Sequence, residues 1–533
     1  MHITIAQVAV YVDGKPFKEL NSVSGDSLHL FTNRILNELW RDGYLFATQD
    51  SLSHSTHFSR LYLHKGRKVN VVVDSIISGE TQVKMNHSYN TIGSYLDNLV
   101  DAGYPFAMLA WDSLYTGKRG LIHGVLNLNP GPFIENDTLH LLSPVKTRKD
   151  FIQRTLDMRV GESYSESGFQ NISQKIKRVS FLKLKSVPDI GFSGGKAKVY
   201  LDLQELPASS FEGVIGILPN QAQGDKLQLT GYLDLQLANL FSTGRALSMK
   251  WQKFSFQSQQ LDLAYHHPYL FNSKILLDFG FNLVKQDTTF INRRLEFGVG
   301  TYLWKNIIFN GNYIRFSGNL TTSDSDIIQD QGIADYKTDL YTLNLSNSVR
   351  EDDFQFTNDW TFKVGFSIGE KSIEKNPNIP TSFYDSLDQE TTLFKFDLST
   401  RLQRILFGKT TIFYQLTTGG IENKEILKNE LYRIGGLKSL RGFNENFFYA
   451  QYFISNRLEL RQYFESRSYF MVFYDNMFYK TNSFTDIPMG LGVGFSLATS
   501  NGLFNFAYAL GSSDQQAFNF TESKVHLGFV SRF

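Results

Sequence analysis

The 533-residue sequence contains no cysteine. That excludes disulfides, thiolate metal sites, cysteine nucleophiles and a lipidated N-terminal cysteine. Charge of one sign is not in excess either, with 53 Lys and Arg against 52 Asp and Glu. A nucleic-acid binder would carry a basic surplus or patch, so that class falls away. Proline is scarce, at 12 residues. No apolar run approaches the roughly 18 residues of a helical membrane span, so spans of that kind are excluded. The opening MHITIAQVAVYVDG lacks the basic n-region and compact apolar core of a leader peptide. Val8, Val10 and Val12 read as a strand, and an export signal is expected outside this sequence if the protein crosses a membrane. What is abundant is aromatic: 46 Phe and 26 Tyr. Aromatic richness with modest hydropathy suits a membrane barrel, because each strand shows only one face to lipid.

Two halves follow different patterns. Residues 1 to 206 mix helix and strand. The stretch DSLHLFTNRILNELWRDGYLFA starts at the candidate N-cap Asp26 and spaces Leu28, Phe31, Ile35, Leu36, Leu39 and Trp40 as a helix face ending at Gly43. YNTIGSYLDNLVDAGYPFA repeats the scheme, with Ile92, Leu96, Leu99 and Val100 before Gly103. Both stretches run into Gly-Tyr and a short apolar segment, Gly43 to Ala47 and Gly103 to Ala107, with strand-like segments after each. A third unit begins near Arg148 and closes on KAKVYLDLQE. Recurrence at such a period predicts an array of small modules, here 1–72, 73–133 and 134–206, with a last unit at 207–533.

From Phe211 onward the reading is strand after strand and no helix. Leu233, Leu235 and Leu237 oppose Asp234 and Gln236; Leu458 and Leu460 oppose Arg457, Glu459 and Arg461; Phe504, Phe506 and Tyr508 oppose Asn505 and Ala507. A soluble sandwich would also alternate. Three features favour a membrane barrel instead. The pattern runs unbroken for about 320 residues, longer than a sandwich domain. The polar faces carry Arg, Glu, Asp and Gln, which suits a wet lumen. Alternation also reaches the terminal Phe533. At roughly 20 residues per strand and turn, the segment accommodates about 16 antiparallel strands, and closing them removes exposed edges.

Several short motifs then fall in one order. They are LANLFSTGRAL (Leu237 to Leu247), HHPYLF (His266 to Phe271), Leu440-Arg441-Gly442-Phe443, RLELR around Glu459, and FYDNM (Phe473 to Met477). In that order the chain resembles the Omp85 superfamily, which includes BamA- and TamA-like assembly factors. FYDNM departs from the family's Phe-x-Asp-x-Gly, with Met477 in place of Gly. The resemblance implies α+β POTRA modules of β-α-α-β-β type, followed by an all-β transmembrane barrel of 16 antiparallel strands. It implies an outer-membrane location with the modules in the periplasm. The implied function is insertion and folding of outer-membrane proteins, without an enzyme's covalent chemistry, metal or cofactor. Partners would be unfolded outer-membrane protein clients, outer-membrane lipid and accessory periplasmic proteins or lipoproteins. The alternative within the family is a two-partner-secretion transporter that passes a partner protein through the lumen; such relatives usually carry two modules, against three here.

The resemblance also assigns residues. Arg441, Gly442 and Phe443 would form a loop latch, received by Glu459, Phe473 and Asp475 of the wall. An arginine inside a lumen is costly unless its fork meets carboxylates, and Glu459 and Asp475 both sit at polar positions of their alternation. Gly442 would permit close backbone approach and Phe443 would wedge the loop. The barrel seam would join the first strand, with Phe211, Gly213 and Gly216, to the last, with Val525, Gly528 and Phe533. The glycines there would weaken packing.

Three further signals carry little. Gly365-Phe366-Ser367-Ile368-Gly369 fits a hydrolase elbow, but it lies in an alternating strand, not at a strand–helix turn. Asp324, Asp326 and Asp330 lack the Gly and terminal Glu of a calcium loop and read as an acidic outer loop. His266 and His267 are adjacent, hence on opposite strand faces, and share no metal.

Overall fold

The computed structural model describes every residue except 1–4, 25–27, 45, 55–57, 69–70, 80, 118–121, 221–225, 256, 305–306, 348–357, 378, 386, 466, 482–483, 500–501 and 533. Two compact units divide the chain, Met1–Leu206 and Pro207–Phe533.

Among the described residues, the first unit holds three four-stranded sheets and one two-stranded sheet, with their helices. In the first, strands Ile5–Val12 and Lys15–Ser24 form a hairpin, helix Leu28–Arg41 follows, and strands Thr48–His54 and Phe58–His64 close the module. Asp13 (φ 49°) and Gly14 (φ 75°) both take positive φ, as a two-residue I′ hairpin requires. The two inner strands run parallel, Val8 beside Ser59. Val8, Val10, Leu61 and Leu63 pack under Ile35 and Leu39 of the helix. The second module, Val71–Ser78, Thr81–Ser88, helix Tyr89–Asp101, Met108–Thr116 and Ile122–Asn129, repeats this order and sheet topology.

The 60-residue echo has a backbone cause. Gly43 and Gly103 end the two helices at φ 92° and 103°. Tyr44 N–H then reaches back to the Leu39 carbonyl at 3.0 Å, and Tyr104 N–H to the Leu99 carbonyl at 3.1 Å, the six-residue closure of a Schellman cap. Only glycine adopts that φ cheaply, so the motif repeats with the structure.

These two modules differ from the β-α-α-β-β plan in having four strands and one helix: a second strand, paired as a hairpin with the first, stands between the first strand and the helix. The boundary expected after residue 72 falls within the strand Val71–Ser78. Asp26 lies outside the described residues. The third sheet is different again: helices Lys149–Leu156, Glu166–Gln170 and Ile172–Lys177 precede strands Asp189–Ser193 and Lys196–Leu201.

One polar cluster on the second module makes a pH prediction. Tyr115 Oη and His123, the latter at 2.9 Å, both hydrogen-bond the Asp74 carboxylate. The bond from His123, then that from Tyr115, holds the Asp74 carboxyl below its ordinary value. A depressed carboxylate contributes stability above the unfolded value of about 3.9 and loses it as pH falls through the folded one. Asp74→Asn is therefore expected to flatten the acid limb of the first unit's unfolding, followed by circular dichroism below about pH 4.

The second unit is built on one large antiparallel sheet. Among the described residues seventeen strands follow one another along its path; one of them, Thr485–Asp486, is a two-residue piece, and the strands on either side of it also pair directly. Its other strands run from Ser210–Asn220 to Lys524–Arg532. The path returns on itself, the last strand meeting the first at Ser210↔Arg532, Phe211↔Ser531 and Glu212↔Val530. Alternation sorts the two faces. Tyr341, Phe366, Phe470 and Val472 are exposed outward, while Leu340, Phe473 and Asp475 are buried inward. No helix among the described residues is long and apolar enough to cross a membrane.

Helices do not stop at Phe211. Ser325–Gln331 is helical, with Asp324 capping it through the N–H groups of Asp326 and Ile327 at 3.0 and 3.3 Å. Gly365 to Gly369 lies inside the strand Asp359–Glu374. His266 faces Asp278 at 2.7 Å, while His267 lies beside Tyr265.

Candidate functional site: a loop docked on the inner wall

The loop between strands Thr410–Glu422 and Tyr452–Tyr463 carries GGLKSLRGFNENF. Its base is a short hairpin of Tyr432–Ile434 and Phe448–Ala450. Gly435 (φ 134°) and Gly436 (φ 96°) turn the chain toward the wall, and Gly435 N–H is held by Ser439 Oγ at 2.8 Å.

Arg441 is 1% exposed, and every part of its fork has a partner. Nε and Nη2 donate to the two oxygens of Asp475, at 2.7 and 2.6 Å. Nη1 donates to Glu459 at 2.7 Å, and the Arg441 backbone N–H reaches Asp475 at 3.1 Å. The guanidinium lies 3.6 Å from the Phe473 ring centre. A bidentate ion pair stacked on an aromatic face is the geometry in which arginine replaces lost hydration best.

Strand register makes this possible. Glu459 pairs with Phe473 across strands Tyr452–Tyr463 and Tyr469–Lys480, and Asp475 pairs with Arg457. All four point to the inner face, so one loop arginine meets them together.

Glu459 is shared further. Arg461 donates to its other oxygen through Nε at 2.8 Å, and Arg457 reaches Oε1 at 3.1 Å. Arg461 also lies 4.1 Å over Phe413. Three arginines thus converge on two carboxylates away from water. Such a cluster costs heavy desolvation and holds only when each charge is paired. The sequence had shown Arg457 and Arg461 flanking Glu459 on one face, but not that all three share it with Arg441.

Gly442 (φ 94°) sits where a Cβ would come within 2.7 Å of the Gly511 nitrogen. Phe443 is fully buried, edge-on to Phe448 at 4.8 Å, in a cluster with Ile434, Leu440, Phe453, Met477 and Tyr479. Met477 therefore packs under the loop. Beneath the tip the wall is bare. A Cβ on Gly490 would lie 2.0 Å from the Arg441 carbonyl oxygen, and one on Gly492 would lie 2.4 Å from the Phe473 ring. The run Gly490-Leu491-Gly492-Val493-Gly494 places every glycine inward by simple alternation. That pattern was visible in the sequence as a strand lacking one face.

The seam residues are placed differently from one another. Phe211 pairs across the seam with Ser531. Among the described residues, Gly213 and Gly216 pair with Leu233 and Thr230 of the second strand, and Val525 and Gly528 with Tyr508 and Asn505 of the neighbouring one, none of them across the seam. Phe533 lies outside the described residues.

No family model matches the sequence, and no curated protein sequence does. Solved structures do match the fold. CdiB from Acinetobacter baumannii aligns over 96% of this chain and 100% of its own, at 12% identity and a TM-score of 0.56. CdiB from Escherichia coli aligns over 95% and 98%, at 14% identity and 0.56. BamA from Haemophilus ducreyi, lacking POTRA domains 1–3, aligns over 83% and 93% at 12% identity, with a TM-score of 0.43. This chain shares its fold with the two CdiB structures.

Proposed function

We propose that this protein works in the bacterial outer membrane, inserting and folding other outer-membrane proteins. In this reading residues 1–206 are POTRA-like modules that receive unfolded clients in the periplasm, with accessory periplasmic proteins or lipoproteins. Residues 207–533 are the barrel, set in outer-membrane lipid, and Arg441-Gly442-Phe443 latch the loop to Glu459, Phe473 and Asp475.

The observation that carries the reading is the short seam. Pairing between the first and last strands stops at Glu212↔Val530, whereas the last strand pairs with its other neighbour from Leu503↔Val530 to Ala509↔Lys524. Beyond Glu212 the first strand offers backbone groups to which a client strand could add. A strand edge of this kind templates β-structure without covalent chemistry. The same fold suits a transporter that passes one partner protein through the lumen, and the likeness to CdiB does not separate the two.

Phe211→Cys with Ser531→Cys, placed on one cross-seam pair, tests the reading in a chain that has no other cysteine. Oxidation is expected to stop assembly of many outer-membrane proteins and reduction to restore it. Full assembly by the oxidised form would reject seam templating. Loss of one secreted protein alone on depletion, with the outer-membrane proteome unchanged, would favour the transporter.

A further inference from the structure

The long loop grips the barrel a second time, on a different set of strands. Leu427 enters a cluster with Ile328 and Ile333, Ile379 and Tyr384, and the wall residues Phe290, Tyr336 and Ile373. Three loops therefore share one apolar cap at the end of the barrel opposite the chain's entry at Ser210. Next to it the Lys428 N–H bonds the Gly332 carbonyl at 3.0 Å. Asn429, 2% exposed, donates to the Ala334 carbonyl at 3.0 Å, and its own carbonyl accepts from Asn292. Glu430 then meets Lys371 of the wall at 2.5 Å, with side chains 6% and 0% exposed, and Lys371 also donates to the Glu425 carbonyl.

These contacts fall on strands Phe290–Trp304, Asp335–Ser346 and Asp359–Glu374, whereas the Arg441 tip docks on strands Tyr452–Tyr463, Tyr469–Lys480 and Met489–Thr499. The loop is a crossbar fixed at two separate places. We propose that Lys371 and Glu430 form a second clasp that keeps the loop across the lumen and seals the mouth of the barrel, independently of Arg441.

The physics of the pair argues for a device that sets position. A pair dehydrated this fully gains little over an apolar pair of the same size, yet losing one member leaves a buried charge uncompensated. Its effect is to specify where the loop sits. Arg433 extends the clasp, with its guanidinium 5.2 Å from Phe290 and 5.3 Å from Tyr449 and Nη1 on Gln286 at 2.9 Å. The seal concerns the barrel read above as an outer-membrane protein and rests on that reading. Its test reads conductance, so a failure of client assembly leaves it decidable.

Purified full-length protein in planar bilayers provides the test, with heat-modifiable gel migration reporting the folded barrel. Lys371→Met is expected to raise mean conductance at least about tenfold, since an unpaired buried charge shifts a closed state strongly toward opening. Lys371→Met with Glu430→Leu, which removes both charges, is expected to conduct like the parent, and so is the exchange Lys371→Glu with Glu430→Lys. Arg441→Ala alone is expected to raise conductance less than Lys371→Met does, because the clasp at Lys371 stays intact. If Lys371→Met does not fold, Glu430→Gln strands the other charge and is read in the same way. A folded single-charge variant with parental conductance overturns the proposal. So does an Arg441→Ala barrel that conducts as strongly as Lys371→Met.

Discussion

Arg441→Ala is expected to cost the barrel about 3–5 kcal/mol, the range for stranding a buried charge. The damage is unequal between the two carboxylates. Glu459 keeps Arg457 and Arg461, whereas Asp475 loses both guanidinium hydrogen bonds and keeps the backbone N–H of residue 441. The deficit therefore sits on Asp475, which is 0% exposed. Two consequences follow from this asymmetry. Adding Asp475→Asn to Arg441→Ala should recover part of the loss, because a neutral amide is cheaper to bury than a lone carboxylate. Arg441→Lys should recover less, because one ammonium cannot hold both oxygens of Asp475 and one of Glu459 in a planar fork. Urea unfolding followed by heat-modifiable migration measures the loss, and limited proteolysis between Lys438 and Asn446 reports release of the tip. Unchanged protease resistance in Arg441→Ala would show that Phe443 and its neighbours hold the loop without the ion cluster.

Gly490→Val should dislodge the same loop with the arginine intact. Even the first carbon of a side chain there would sit 2.0 Å from the Arg441 carbonyl oxygen. That atom is backbone and cannot swing aside, so the tip has to lift. Overpacking typically costs about 1–3 kcal/mol, and here the lost ion contacts are added to it, so the effect should approach that of Arg441→Ala. The double variant should then cost little more than either single, since both remove one docking event. Gly311→Ala is the control. It lies in the same sheet with nothing within 4 Å of its new carbon and should stay within about 0.5 kcal/mol of the parent. A Gly490→Val barrel as stable and as protease-resistant as the Gly311→Ala barrel would mean that the tip does not need the bare wall.

Legibility in the sequence followed the range over which each signal acts. Strand alternation is local, so Leu458 and Leu460 against Glu459 could be assigned to faces without knowing any partner. The helix ends at Gly43 and Gly103 were equally local, because one φ value dictates the residue. Parity put Glu459 and Asp475 on the inward face, but which loop residue meets them depends on register between strands, and no single segment encodes that. Lys371 and Glu430 are 59 positions apart with no motif around either, so their pairing had no local trace. The helix Ser325–Gln331 was hidden by its polar composition; only Ile327 and Ile328 mark its apolar side, and Ile328 is fully buried. The single helix of each of the first two modules is legible in its spacing, and only the resemblance implied a second; a helix reading from residue 28 onward says nothing about the hairpin placed before it.

The bare inner face of the last strands has a consequence for the order of folding. Gly490, Gly492, Gly494, Ala507, Ala509 and Gly511 give strands Met489–Thr499 and Gly502–Ser512 almost no inward packing of their own. Glycine in a strand interior is entropically unfavourable and offers no side chain to bury. What fills the space is Phe473 and a loop tip encoded about 50 to 70 residues earlier, contacts whose closure entropy must be met before they return anything. The final hairpin is thus a poor nucleus and a good keystone. It settles only once the loop has been threaded inward, so the barrel is completed around its own contents, not filled after closure.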